Sequence, residues 1–277
     1  PTSQPEPEPP TEPTTDPEPE PVTPADIQAW AAGAEWTWSD DGLDVPIVVG
    51  LTAGAGEDEN GRTYQMGDGV EGDANGDGTA DLAIPLAQTD GEDAQELWYV
   101  WLGREAGEAG EQAPAEQVIF PIALTDSCGD IVHSVTAIDS GFQIDHTLKM
   151  PWTDDERGCE EGGTGTEVRD VTIMDFDDEW YPVLTAPIEA WGGICPRSDW
   201  LEGGVTDQRT GRVAPPESAT VIHDVGDRTG LYPIREAPLL EDGAEFFYGF
   251  LPGAGDSEAV EGLGPVRQFC AFTDEEN

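Results

Sequence analysis

Leu82-Ala83-Ile84-Pro85-Leu86, then Asp90-Gly91, then Glu96-Leu97-Trp98-Tyr99-Val100-Trp101-Leu102 is the stretch that decides the fold. Two apolar segments flank an Asp-Gly pair, whose residues tolerate the positive φ of a tight hairpin turn. Side chains alternate along a strand, so Trp98 and Val100 share one face and Tyr99 and Trp101 the other. The same period of two recurs along the chain. It predicts strands at Val45–Leu51, Gln117–Leu124, Ile131–Ile138, Gly141–Leu148, Glu167–Met174 and Glu179–Leu184. Gly54–Gly61 reads as an acidic turn and Gly103–Pro114 as a polar loop. Less regular strands are expected at Trp191–Cys195, Ala219–His223, Ala244–Leu251 and Val266–Phe272. The one helical segment is Ala25–Ala32, with Thr23 or Asp26 as its cap.

The amino end differs from everything after it. Residues 1–24 hold ten of the 24 prolines and six acids, with no base and a single aliphatic residue, Val22. Proline favours polyproline II and like charges repel, so Pro1–Pro24 is expected as an extended, disordered spacer. The expected fold class is therefore mainly β: two small disulfide-stapled β-sheet or sandwich units behind a disordered spacer. The units are placed at residues 25–168 and 169–277, with the boundary sought between 165 and 190. No internal repeat is evident, which argues against a complete propeller.

The 277 residues carry 59 acids against 11 bases, a formal charge of −48, and Lys149 is the only lysine. Nucleic acid and anionic membrane surfaces both need a cationic face, so neither is an expected partner. A charge of this size suits an extracellular surface, or high salt, where self-repulsion is screened. No stretch approaches the eighteen apolar residues of a membrane helix. A Pro/Glu/Thr spacer is what an exported, lipid-anchored bacterial surface protein carries ahead of its domain. Membrane contact is thus expected only through an anchor lying outside this chain. Cys128, Cys159, Cys195 and Cys270 make no Cys-x-x-Cys pair, so zinc and thioredoxin chemistry have no support. Two structural disulfides in an oxidising compartment fit better. Of the three pairings, Cys128–Cys159 with Cys195–Cys270 is favoured because each bond then staples one half of the chain.

Immediately before the decisive hairpin stands Gly72-Asp73-Ala74-Asn75-Gly76-Asp77-Gly78-Thr79-Ala80-Asp81-Leu82. Oxygen side chains at alternate positions, with glycine after the third, are the ligand spacing of a Ca²⁺ loop. Asp73, Asn75, Asp77 and Asp81 would offer side chains and Thr79 its carbonyl. An EF-hand would also need a bidentate glutamate at the twelfth position, where this chain has Ile84, and flanking helices. Asp73 to Leu82 instead resembles the calcium loop of FG-GAP repeats, Asp-x-Asn-x-Asp-Gly-x-x-Asp-Leu running straight into a strand. That family includes integrin α-chain propeller blades and many bacterial surface proteins. The resemblance covers ten residues and implies a structural Ca²⁺ site, with an acidic β-turn as the plainer alternative.

Other chemistry is thinly represented. The acidic runs Asp154-Asp155-Glu156 and Asp175–Glu179 are expected as solvated surface. His133, His146 and His223 lack metal-ligand spacing or a nucleophile elbow and are expected to be structural. Gly54-Ala55-Gly56 and Gly162–Gly165 lack the following helix of a phosphate cradle. Nine tryptophans are expected mainly as core, with sugar stacking as the functional alternative. The function expected is a non-catalytic extracellular binding or structural module of the cell envelope, its ligand a glycan or protein. The rival is a secreted hydrolase acting on glycans through paired carboxylates.

Overall fold

The computed structural model describes residues 21–39, 46–91, 93–104, 113–150, 154, 156–195, 211–222, 230–236, 245–252 and 266–273. Residues 1–20 of the expected spacer lie outside them, and its last residues are already part of the fold. Val22 packs on the first core cluster, Thr23 caps the helix and Pro24 is its first residue. Helix α1 (Pro24–Ala31) starts with a capping box: the Asp26 N–H donates to Thr23 Oγ1 at 3.3 Å, and the Thr23 N–H to Asp26 Oδ2 at 3.0 Å. Proline at the first position loses no hydrogen bond there.

The chain is mainly β. Strands β1 (Glu35–Trp38) and β2 (Ile47–Gly50) form a two-stranded ribbon. A seven-stranded sheet contains β3 (Ala55–Glu57), β4 (Thr63–Met66), β5 (Val70–Gly72), β6 (Asp81–Asp90), β7 (Asp93–Gly103), β8 (Ala115–Gln117) and β9 (Ala123–Asp126). Its spine is the β6–β7 hairpin, paired from Leu82↔Trp101 to Asp90↔Asp93. A five-stranded antiparallel sheet follows: β10 (Ile131–Ile138), β11 (Gly141–Leu148), β12 (Gly165–Phe176), β13 (Glu179–Ala186) and β14 (Ala190–Trp191). Strands β15 (Gly230–Glu236), β16 (Glu245–Pro252) and β17 (Val266–Thr273) make a third sheet.

Both faces of the β6–β7 hairpin are covered. Leu82, Ile84, Leu86, Leu97, Tyr99 and Trp101 pack against α1, Trp36 and Trp38. The opposite face, with Ala83, Val100 and Leu102, meets Phe142, Ile144, Val171 and Ile173 of the five-stranded sheet, which makes the two large sheets a sandwich. The far side of that second sheet carries Tyr181, Val183 and Trp191 against Val213, Ala214 and Phe272. Trp36, Trp38 and Trp191 are fully buried, so these tryptophans are core and not sugar platforms.

Several expectations need correction. The boundary set at 168/169 falls inside β12, whose Val168 pairs with Asp145 and whose Arg169 pairs with Ile144. The sheet therefore runs through it. Gln117–Leu124 is not one strand: Gln117 faces Trp101 and Ala123 faces Trp98, so six residue steps stand against three. The surplus loops out around Pro121, which has no N–H to give the ladder. Gly54–Gly61 contains strand β3, and Trp191–Cys195 leaves the sheet after Trp191. Ala219–His223 reduces to an isolated bridge, Arg212↔Val221. His223 lies outside the described residues.

Cys128 bonds Cys159 and Cys195 bonds Cys270, across 31 and 75 residues of sequence. Each closed loop removes about 4 kcal/mol of unfolded-chain entropy. The bonds belong to an oxidising compartment. No helix among the described residues is long and apolar enough to cross a membrane.

Candidate functional site

The Asp73–Asp81 loop joins β5 to β6, and its polar groups are turned onto its own backbone. Asp73 Oδ1 accepts from the Gly76 N–H at 2.7 Å and Oδ2 from the Gly78 N–H at 3.0 Å. Asn75 Oδ1 accepts from the Asp77 N–H at 3.1 Å, and the Asn75 amide donates to Asp77 Oδ2 at 2.9 Å. Thr79 donates its N–H to Asp77 Oδ1 at 2.6 Å. Gly76 and Gly78 have φ of +76° and +85°, the left-handed backbone that lets the loop close on itself.

Asp81 is fully buried. Its Oδ2 accepts from the Ala74 N–H at 2.7 Å and its Oδ1 from the Gly103 N–H at 2.8 Å, tying loop, β6 and β7 together. Burial pushes its carboxyl up to about 7, against the pull of these two donors, and the Asp77 and Asp73 charges add to the rise. At Asp77 burial is outweighed by the Thr79 N–H, the Asn75 amide and the Thr79 hydroxyl, which hold that carboxyl below its ordinary value.

The loop also reaches the other sheet. Asp73 O accepts from the Gly141 N–H at 2.7 Å, and Ala74 O accepts from the Ile173 N–H and the Thr172 hydroxyl, both at 2.8 Å. The five residues singled out from sequence thus share one loop clamped between the sheets. Among the described residues no three His, Cys, Asp or Glu side chains converge as metal ligands.

A second polar site lies at one end of the sandwich. His146 on β11 and Glu167 on β12 stand directly opposite each other and face inward. With Asp130, Lys149 and Arg169 they line a partly open cavity of about 40 Å³, whose other walls include the apolar Trp191 and Phe269. That volume admits about three waters. Arg169 donates to Gly193 O at 3.3 Å and to Ile122 O. Asp130 Oδ1 accepts from the Lys149 N–H at 2.6 Å. His146 Nε2 is buried without a hydrogen bond, 3.4 Å from Glu167 Oε2. Burial lowers the imidazole's pKa, with Arg169 adding to the drop, while Glu167 and Asp145 pull the other way. In the sequence His146 stands as an isolated histidine, because its partner is twenty-one positions away and met only through strand register.

The acidic run at Asp154 also differs from expectation. Asp154 is fully buried: its carboxylate accepts from the Met150 N–H at 2.7 Å and from the Thr164 N–H and hydroxyl at 2.9 Å. His133 is exposed, with Nε2 2.8 Å from Thr147 Oγ1. Compared with known proteins, the chain matches no protein-family model, no curated protein and no solved structure.

Proposed function

We propose that this chain is a non-catalytic extracellular module of a cell envelope, binding or structural in role, whose Asp73–Asp81 loop holds a structural Ca²⁺. The observation that carries this reading is the clamp, in which the Asp73 and Ala74 carbonyls take hydrogen bonds from Gly141, Thr172 and Ile173 of the facing sheet. An ion in this loop would brace the joint between two sheets. The donor set suits a hard cation: Asp73, Asn75, Asp77, Asp81 and the Thr79 carbonyl supply oxygen only. Bound Ca²⁺ would offset the like charges that raise the Asp81 carboxyl.

Thermal unfolding in millimolar Ca²⁺ and in EDTA tests the reading. Ca²⁺ should raise Tm in the wild-type chain, and Asp77→Ala should abolish the rise. Superimposed curves for the wild-type chain would refute it. The rival glycan hydrolase gains nothing from the cavity that Asp130 and Glu167 line, because about 40 Å³ does not admit a sugar ring.

A further inference from the structure

His146 is 3% exposed, its Nε2 has Glu167 Oε2 at 3.4 Å and no hydrogen bond, and the residue lines a cavity with room for water. The charged groups around it come from three places. Glu167 and Arg169 project from β12, and Asp145 precedes His146 on β11. Asp130 and Lys149 stand at the ends of β10 and β11. The remaining walls, Leu124 of β9, Leu184 of β13 and the cover formed by Trp191, Ile194, Cys195 and Phe269, bring no titratable group, since Cys195 is in a disulfide.

Arg169 links the imidazole to that cover. Its guanidinium donates to Gly193 O, while Trp191 Nε1 donates to Ile194 O at 3.1 Å and the Gly192 N–H to Pro182 O at 3.0 Å. A proton on His146 would place a second positive charge beside Arg169 in a poorly solvated space, and water would be drawn in to solvate it. Arg169, which holds Gly193 O and Ile122 O, would feel that repulsion directly.

We propose that His146 is an acid-sensitive latch: neutral, it lets the 191–195 segment and Phe269 close over the cavity, and protonated, it loosens that cover while the Cys195–Cys270 bond keeps it tethered. The sign follows from burial. A histidine whose pKa is lowered in the closed state contributes its full share above about 6.5, the free value, and that share is lost as pH falls below it.

Amide hydrogen exchange on the full chain, corrected for the intrinsic pH dependence, tests the latch. Between pH 7.5 and 5.5 the protection of residues 191–195 should fall several-fold in the wild-type chain and stay constant in His146→Gln. Unchanged protection in the wild-type chain, or an equal fall in the variant, overturns the proposal. Should His146→Gln not fold, Glu167→Gln serves. It removes the acid that favours the imidazolium in the closed state, so the fall should still begin near pH 6.5 but be larger at pH 5.5 than in the wild-type chain, and a fall no larger than the wild type's overturns the proposal.

Discussion

The Asp81 loop and the His146 cavity each bury a titratable group and treat it in opposite ways. Asp81 gives each carboxylate oxygen a backbone N–H, from Ala74 and from Gly103. His146 Nε2 has a carboxylate 3.4 Å away and no hydrogen bond. Burial moves both groups toward neutrality, raising the acid and lowering the base. The first site joins the two sheets through backbone carbonyls, and the second through the Arg169 guanidinium on Ile122 O. A buried charge can thus be a joint where its partners are supplied, or a weak point where they are not.

Four measurements would break or sharpen that contrast. The largest effect is expected from Asp81→Ala, which strands two buried N–H donors and should lower stability by about 3–5 kcal/mol in denaturant titration. His146→Gln at pH 7.5 should cost far less; equal costs would end the distinction. Next comes Ca²⁺. At a hundred times its Kd it should stabilise the chain by about 2.7 kcal/mol, and it should leave exchange at the His146 cavity unaltered.

Third is pH, measured without metal. Asp81 titrates near 7 in the folded chain, above the ordinary 3.8, so its contribution is present at low pH and lost as pH rises from about 4 to about 7. His146 runs the other way and loses its contribution below about 6.5, at about 1.4 kcal/mol per unit of depression. Asp81→Asn should flatten the first slope and His146→Gln the second, each leaving the other intact. The smallest effect belongs to Gly78→Ala. No atom lies within 4 Å of the added Cβ, so only the φ of +85° is strained, at about 1 kcal/mol, and the cavity should not notice.

The parts legible in sequence were those set by local chemistry. Asp90-Gly91 marks a real hairpin, and Ile131–Ile138 and Gly141–Leu148 are strands with the expected bounds. Thr23 caps the expected helix, and the cysteines pair as favoured. The rest depends on strands distant in sequence. A boundary at 168/169 divides the sequence into halves of ordinary domain size, yet that position lies inside β12, which pairs with β11 along its length. The loop's ligand pattern was readable, while its clamp uses the backbone of Gly141 and Ile173, which no side-chain pattern reports. Asp154 looked like solvated acid because burial by Met150 and Thr164 leaves no periodic trace.

Lys149 lines the His146 cavity, and it is the only lysine in 277 residues. An amine-directed fluorophore therefore has one side chain to react with, and that side chain borders the space the latch would open. Few proteins allow a reporter to be placed at a chosen cavity without first removing competing sites. Here composition has already removed every competing lysine, and a label on Lys149 places a reporter on the wall of that cavity.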